Sequence, residues 1–149
     1  MKLDGIKQGR PSWADLMTTD VPGAVSFYDP LFGWSDIVAP IPGGGEYHTA
    51  TLGDARVCGI GAQDEVERGR GVPAHWNVYF AVDSTDATVG RVAAAGGQVI
   101  APTMDVMGLG NMAVIADPTG GVVGLWEAKT HKGFGVAQEP GSISWCELM

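Results

Sequence analysis

Two runs of alternating residues carry the side chains best suited to chemistry. Trp13, Asp15 and Met17 occupy every second position of one run, and His75, Asn77 and Tyr79 do the same in another. Successive side chains of a strand point to opposite faces, so each trio shares a face, and further on Trp126 shares the face of Gly124. The intervening Ala14, Leu16, Val78 and Phe80 suit packing beneath helices. A neutral imidazole held by a carboxylate can move protons near neutral pH, which makes His75 with Asp15 a candidate acid–base pair. The other reading of His75 is an ordinary hydrogen-bonded histidine at a strand start. Trp13, Met17, Tyr79 and Trp126 as walls, with Asp15, His75 and Asn77 as polar groups, have the make-up of a small-molecule site; the same aromatics also suit a closed core. His48 and His131 lie in an edge-like stretch and in the tail, and take no role. No nucleophile elbow or Cys/His signature occurs, and Gly43-Gly44-Gly45 lacks the Lys-Ser/Thr of a phosphate loop.

The surrounding chain reads as two copies of one order, βαβββ. Trp13 to Thr18 is a short half-apolar strand that stops at Thr19-Asp20, a helix-capping pair. Val21, Ala24, Val25, Phe27, Tyr28 and Leu31 then fall at helical spacing and predict one buried stripe, with Pro22 in the first turn and Gly33 as the stop. Trp34 to Val38 predicts a strand, Ala39 to Gly45 a loop, and Tyr47 to Leu52 with Ala55 to Gly61 a hairpin about Gly53-Asp54. Gln63 to Pro73 has many charges and no apolar face, and predicts a surface linker. The order then repeats: strand His75 to Val82, helix Thr85 to Ala95 closed by Gly96-Gly97, and strands at Val99-Ile100, Met112 to Ala116 and Val122 to Glu127, with a loop through Met107 to Gly110. A shift of about 64 residues sets Asn77 on Trp13, Ser84 on Asp20 and Val89 on Val25, a repeat of pattern rather than identity.

The expected organisation is therefore a frayed lead-in at residues 1–10, a module at 11–62, a linker at 63–73, a module at 74–128 and a tail at 129–149. In the tail, Trp145-Cys146-Glu147-Leu148-Met149 repeats the types and order of Trp13-Ala14-Asp15-Leu16-Met17. That predicts an inter-module linker from His131 to Gly141 and the start of a further module.

At 149 residues and 45% hydrophobic content the chain can bury one ordinary core, and 23 Gly with 9 Pro favour a turn-rich, sheet-rich fold. Cys58 and Cys146 make no disulfide framework and lack metal-type spacing, so reduced thiols and a cytoplasmic setting are expected. The N-terminus lacks the apolar core of a signal peptide, and no run approaches the roughly 18 apolar residues of a membrane span. A net charge of −8 argues against nucleic acid and, if it bears on function, favours cationic ligands.

The helix Asp20-x3-Ala24-x2-Phe27-Tyr28-x2-Leu31-Phe32-Gly33-Trp34 resembles the first helix of the vicinal oxygen chelate superfamily, which includes glyoxalase I, bleomycin-resistance proteins, fosfomycin-resistance enzymes and extradiol dioxygenases. The run Asp117-Pro118-Thr119-Gly120-Gly121-Val122-Val123-Gly124-Leu125-Trp126-Glu127 resembles the family's last hairpin. Between them the resemblance covers residues 11 to 128. It implies an α+β fold of two βαβββ modules whose curved mixed sheets form one open cup, with helices on the convex side and the ligand on the concave face. It also extends to longer glyoxalase-like proteins that carry two cups in one chain, and it implies a homodimer or an intrachain second cup as partner.

In metal-dependent members, His, Glu or Gln ligands converge from four strands. The corresponding places here hold Trp13, Asn77, Gly59 and Gly124, none a strong donor, and the two glycines leave room where ligands would stand. The resemblance with these departures implies a small-molecule-binding protein of the glyoxalase/bleomycin-resistance type, without a metal cofactor, taking an apolar or aromatic ligand. The alternative is a glyoxalase-like lyase, isomerase or dioxygenase, metal-dependent through His75, Asp15 and Glu127, or using His75 with Asp15.

Overall fold

The computed structural model describes all 149 residues, which form an α+β fold of two compact units. The first comprises residues 1–3, 14–76 and 134–145; the second comprises 4–13, 77–133 and 146–149. The linker residues 63–73 thus lie within the first unit, and the tail is divided between both.

In the first unit the elements run β1 (Pro11–Thr18, its first three residues grouped with the second unit), α1 (Val21–Phe32), β2 (Ser35–Pro40), β3 (Glu46–Leu52), β4 (Ala55–Ala62) and α2 (Glu65–Gly69). The strands lie in the order β2-β3-β4-β1, with β1 parallel to β4 and Asp15 opposite Gly59. Helix α1 begins where the Asp20 carboxylate accepts from Gly23 N and ends where Gly33 takes φ 69°, a left-handed conformation that glycine adopts freely. Trp34, Ala50, Val57, Cys58 and Val136 form the core.

One expectation for this unit fails. No residue of α1 is fully buried, and Phe27 and Leu31 are 60% and 57% exposed. At 100° per residue Phe27, Leu31, Ala24 and Tyr28 lie within one arc of about 100°, and the Phe27–Leu31 edge of that face is left uncovered. Tyr28 packs on Trp34, and Phe27 and Leu31 face solvent. The surface linker is mostly exposed and contains α2, capped by Asp64 through Glu67 N, and the buried Gln63 amide ties its far end by donating to Val72 O and Pro73 O.

The second unit carries β5 (His75–Ala81, its first two residues grouped with the first unit), α3 (Thr85–Val92) continued by a 3₁₀ turn at Ala93–Ala95, β6 (Gln98–Asp105), β7 (Gly110–Ala116) and β8 (Val122–Ala128). Their order is β5-β8-β7-β6, with β5 parallel to β8 and Tyr79 opposite Gly124. The pairs Asp15 with Gly59 and Tyr79 with Gly124 reproduce the internal repeat to within one residue. Ser84 caps α3, and the Asp117 carboxylate accepts from Thr119 and Gly121 to close the turn into β8. Strand β6 runs well beyond the predicted Val99-Ile100. It ends the order and pairs only with β7, where register shifts around Ala101 accommodate Pro102, which has no N–H to donate.

The lead-in is tied rather than frayed: Lys2 bridges Val136 and Leu3 N donates to Gly135 O in the first unit, while Gly9 N donates to Ala81 O in the second. No strand forms over residues 145–149.

Candidate functional site

In the second unit, Trp13, Tyr79 and Trp126 come together from three strands and are 5%, 7% and 6% exposed. The Tyr79 ring lies over Gly124, where any Cβ would overlap it, and the Trp126 indole lies over Gly110 in the same way. Ser12 Oγ donates to Tyr79 O at 3.1 Å, fixing the start of β1 beside β5. The half-buried Asn77 precedes Tyr79 on the same strand face. A residue given no role by its sequence joins them. The His131 imidazole stands edge-on to Trp13, with centroids 4.4 Å apart and planes at 85°, and contacts Trp126 at 5.5 Å. Trp126 Nε1 donates to His131 O at 2.9 Å.

In the first unit, the Tyr47 ring covers both Gly59 and Gly61, and its hydroxyl donates to Oδ2 of the buried Asp15 at 3.3 Å. Met17 turns its sulfur toward Gly61. The room expected at Gly59 and Gly124 is therefore filled, by Tyr47 in one unit and Tyr79 in the other. The proposed His75–Asp15 pair does not form. His75 Nδ1 bonds Pro73 O at 2.9 Å and its Nε2 lies 3.5 Å from Glu67 Oε1, a partner supplied by α2.

Glu127, a reserve ligand, is likewise engaged in its own unit. Its Oε2 accepts from Thr85 N at 2.8 Å and Thr85 Oγ1 at 2.9 Å, and its Oε1 from Asn111 Nδ2 at 3.1 Å. These bonds, that from Thr85 N foremost, hold its carboxyl below the usual range and clamp β8 to the start of α3. No group of three or more His, Cys, Asp or Glu side chains is arranged to hold a metal ion.

A polar cluster in the first unit does other work. His48 Nδ1 bonds Asp36 Oδ2 at 2.8 Å, while Oδ1 of both Asp29 and Asp36 is buried without a partner. Burial, then the Asp36 charge, raises the Asp29 pKa, with His48 opposing. Burial and the charges of Asp15, Asp36 and Asp29 push the Cys58 thiol up to about 12. A carboxyl whose folded pKa is raised adds stability that is fully present below its unfolded pKa and is lost as pH rises through the folded value. Asp29→Asn should therefore be more stable than the parent at pH 7 and show no gain near pH 3, read from urea midpoints. One kcal/mol corresponds to about 2–4 °C in melting temperature at this size. A destabilised variant at pH 7 would show that the Asp29 charge is compensated.

Residues 10–125 match the family model described as Glyoxalase/Bleomycin resistance protein/Dioxygenase superfamily. The chain belongs to this superfamily. CFP32 of Mycobacterium tuberculosis (strain CDC 1551 / Oshkosh), which carries a glyoxylase name, is 44% identical over 149 residues, covering 99% of this chain and 57% of its own length. DnrV of Streptomyces peucetius, named an anthracycline biosynthesis protein, is 40% identical over 152 residues, covering 95% and 55%. The chain thus spans little more than half the length of these superfamily relatives. Among solved structures, hypothetical protein BH1468 of Bacillus halodurans has a TM-score of 0.62 at 15% identity, covering 80% of this chain and 94% of that one. Methylmalonyl-CoA epimerase of Mycobacterium tuberculosis gives 0.61 at 14%, covering 83% and 91%. At such identities the likeness is one of fold.

Proposed function

We propose that the protein binds a planar apolar or aromatic small molecule without a metal, as a glyoxalase/bleomycin-resistance-type binding protein. The observation that carries this reading is the gathering of Trp13, Tyr79 and Trp126 in the second unit, with an indole N–H and Asn77 as orienting polar groups. The net charge of −8 favours a ligand that also bears positive charge. The anthracycline-biosynthesis name of DnrV is in keeping with a polycyclic aromatic ligand.

The test is a thermal-shift and indole-fluorescence screen of aromatic compounds with and without EDTA. A ligand should quench the indoles and raise the melting temperature with its concentration, and EDTA should change neither. A melting temperature lowered by EDTA and restored by one divalent ion would sink the metal-free reading. No helix is long and apolar enough to cross a membrane.

The assembly expected is a homodimer, or an intrachain second cup in a longer chain. Edge strand β2 exposes Ile37 and Val38, and edge strand β6 exposes Ile100 and Met104. Such edges are a liability unless paired or covered. Sedimentation should show a dimer of this chain; a monomer persisting at high micromolar concentration counts against it.

A further inference from the structure

The segment that follows β8, residues 129–133, lies across the aromatic cluster as a strap. Lys129 N and His131 N both donate to Leu109 O, at 3.1 and 3.0 Å, and Thr130 Oγ1 reaches Gly108 O at 3.3 Å. At the other end Gly133, with φ 96°, backs so closely onto Ser12 O that a side chain would overlap it. Gly133 N donates to His131 Nδ1 at 3.4 Å. Between these ties the strap offers the indoles two things from one residue: a flat ring against Trp13 and Trp126, and a carbonyl oxygen for Trp126 Nε1.

Little apolar burial holds the strap down. Lys129, Thr130 and Lys132 are exposed, and its attachment at this end rests on a few hydrogen bonds to the turn between β6 and β7 and on the exposed Lys129–Asp105 ion pair. Segments with few buried apolar contacts open at low free energy. We propose that residues 129–133 are the gate of the aromatic site and that His131 occupies the place of its ligand. The ligand class follows from what the strap supplies: a planar aromatic ring bearing a carbonyl oxygen that accepts the Trp126 Nε1 proton. This inference rests on the binding reading above, and it accounts for Trp13 and Trp126 being almost wholly buried.

The experiment follows indole N–H signals in ¹H–¹⁵N spectra of the full chain, His131→Ala and Gly133→Ala, with the Trp126 signal assigned by its loss in Trp126→Phe. Coumarin, planar with a ring carbonyl, is the probe, and naphthalene, which has no acceptor, is the control. Both strap variants should speed solvent exchange of the Trp126 Nε1 proton. Both should also bind coumarin about tenfold more tightly than the parent, the factor for a gate open about a tenth of the time. Naphthalene should gain affinity too but shift the Trp126 N–H less. If coumarin moves the Trp13 and Trp126 signals with equal affinity in all three proteins, the gate is overturned while the aromatic site stands. Where neither compound moves them in any protein, the binding reading fails and the gate with it. Should Gly133→Ala not fold, His131→Ala decides alone, since it removes only a partly buried ring.

Discussion

Trp126→Ala is expected to lower the stability of the fold by about 3–5 kcal/mol, the range for emptying a packed aromatic site. The indole is 6% exposed, packs over Gly110 and against His131, and closes a hydrogen bond to the strap, so its removal leaves a cavity and an unpaired carbonyl. Trp126→Phe should lose much less, because it keeps most of the ring and forfeits chiefly the N–H bond, worth about 0.5–1.5 kcal/mol. Urea unfolding of both variants, read beside the compound screen, separates two roles for the residue. A large loss in Trp126→Ala together with no compound that shifts the melting temperature makes these aromatics core alone. A loss below about 1 kcal/mol would show instead that the ring is not packed as described.

Gly124→Ala should cost about 1–3 kcal/mol, because the added methyl meets the Tyr79 ring in a site with no slack. Tyr79→Ala is destabilising by itself, yet in the double variant the two losses should not add. The coupling expected of side chains in direct contact is about 0.5–3 kcal/mol. Strict additivity across that cycle would mean that the ring does not rest on the glycine.

Much of the scaffold was legible in the sequence because its signals are local. Asp20, Ser84, Gly33 and Gly96 act within a turn of their own helices, and strand alternation needs only neighbouring residues. The candidate site was legible in its residue types but not in its contacts. Which ring covers Gly59 or Gly124 depends on strands far apart in sequence, Tyr47 reaching Gly59 and Tyr79 reaching Gly124. His75 is the hydrogen-bonded histidine at a strand start that its position suggested, while its partner Glu67 was not legible because it sits on a five-residue helix too short to show periodicity. His131 was passed over because a strap without regular structure carries no pattern, and its place is set by backbone bonds to Leu109. The α1 stripe failed for another reason: helical spacing reports that apolar residues could share a face, not that another element covers it.

The two tyrosines that roof the ligand-position glycines come from unlike neighbours. Tyr47 sits on β3, antiparallel to β4, whereas Tyr79 sits on β5, parallel to β8, at the place that Asp15 holds in the first half. If the halves arose by duplication, their common ancestor did not bequeath this arrangement, and each half reached it by its own substitutions. Those histories are then hard to rewind. A metal-ligating side chain can return at residue 59 or 124 only after the tyrosine above it has shrunk, so each half sits behind an epistatic ratchet of its own.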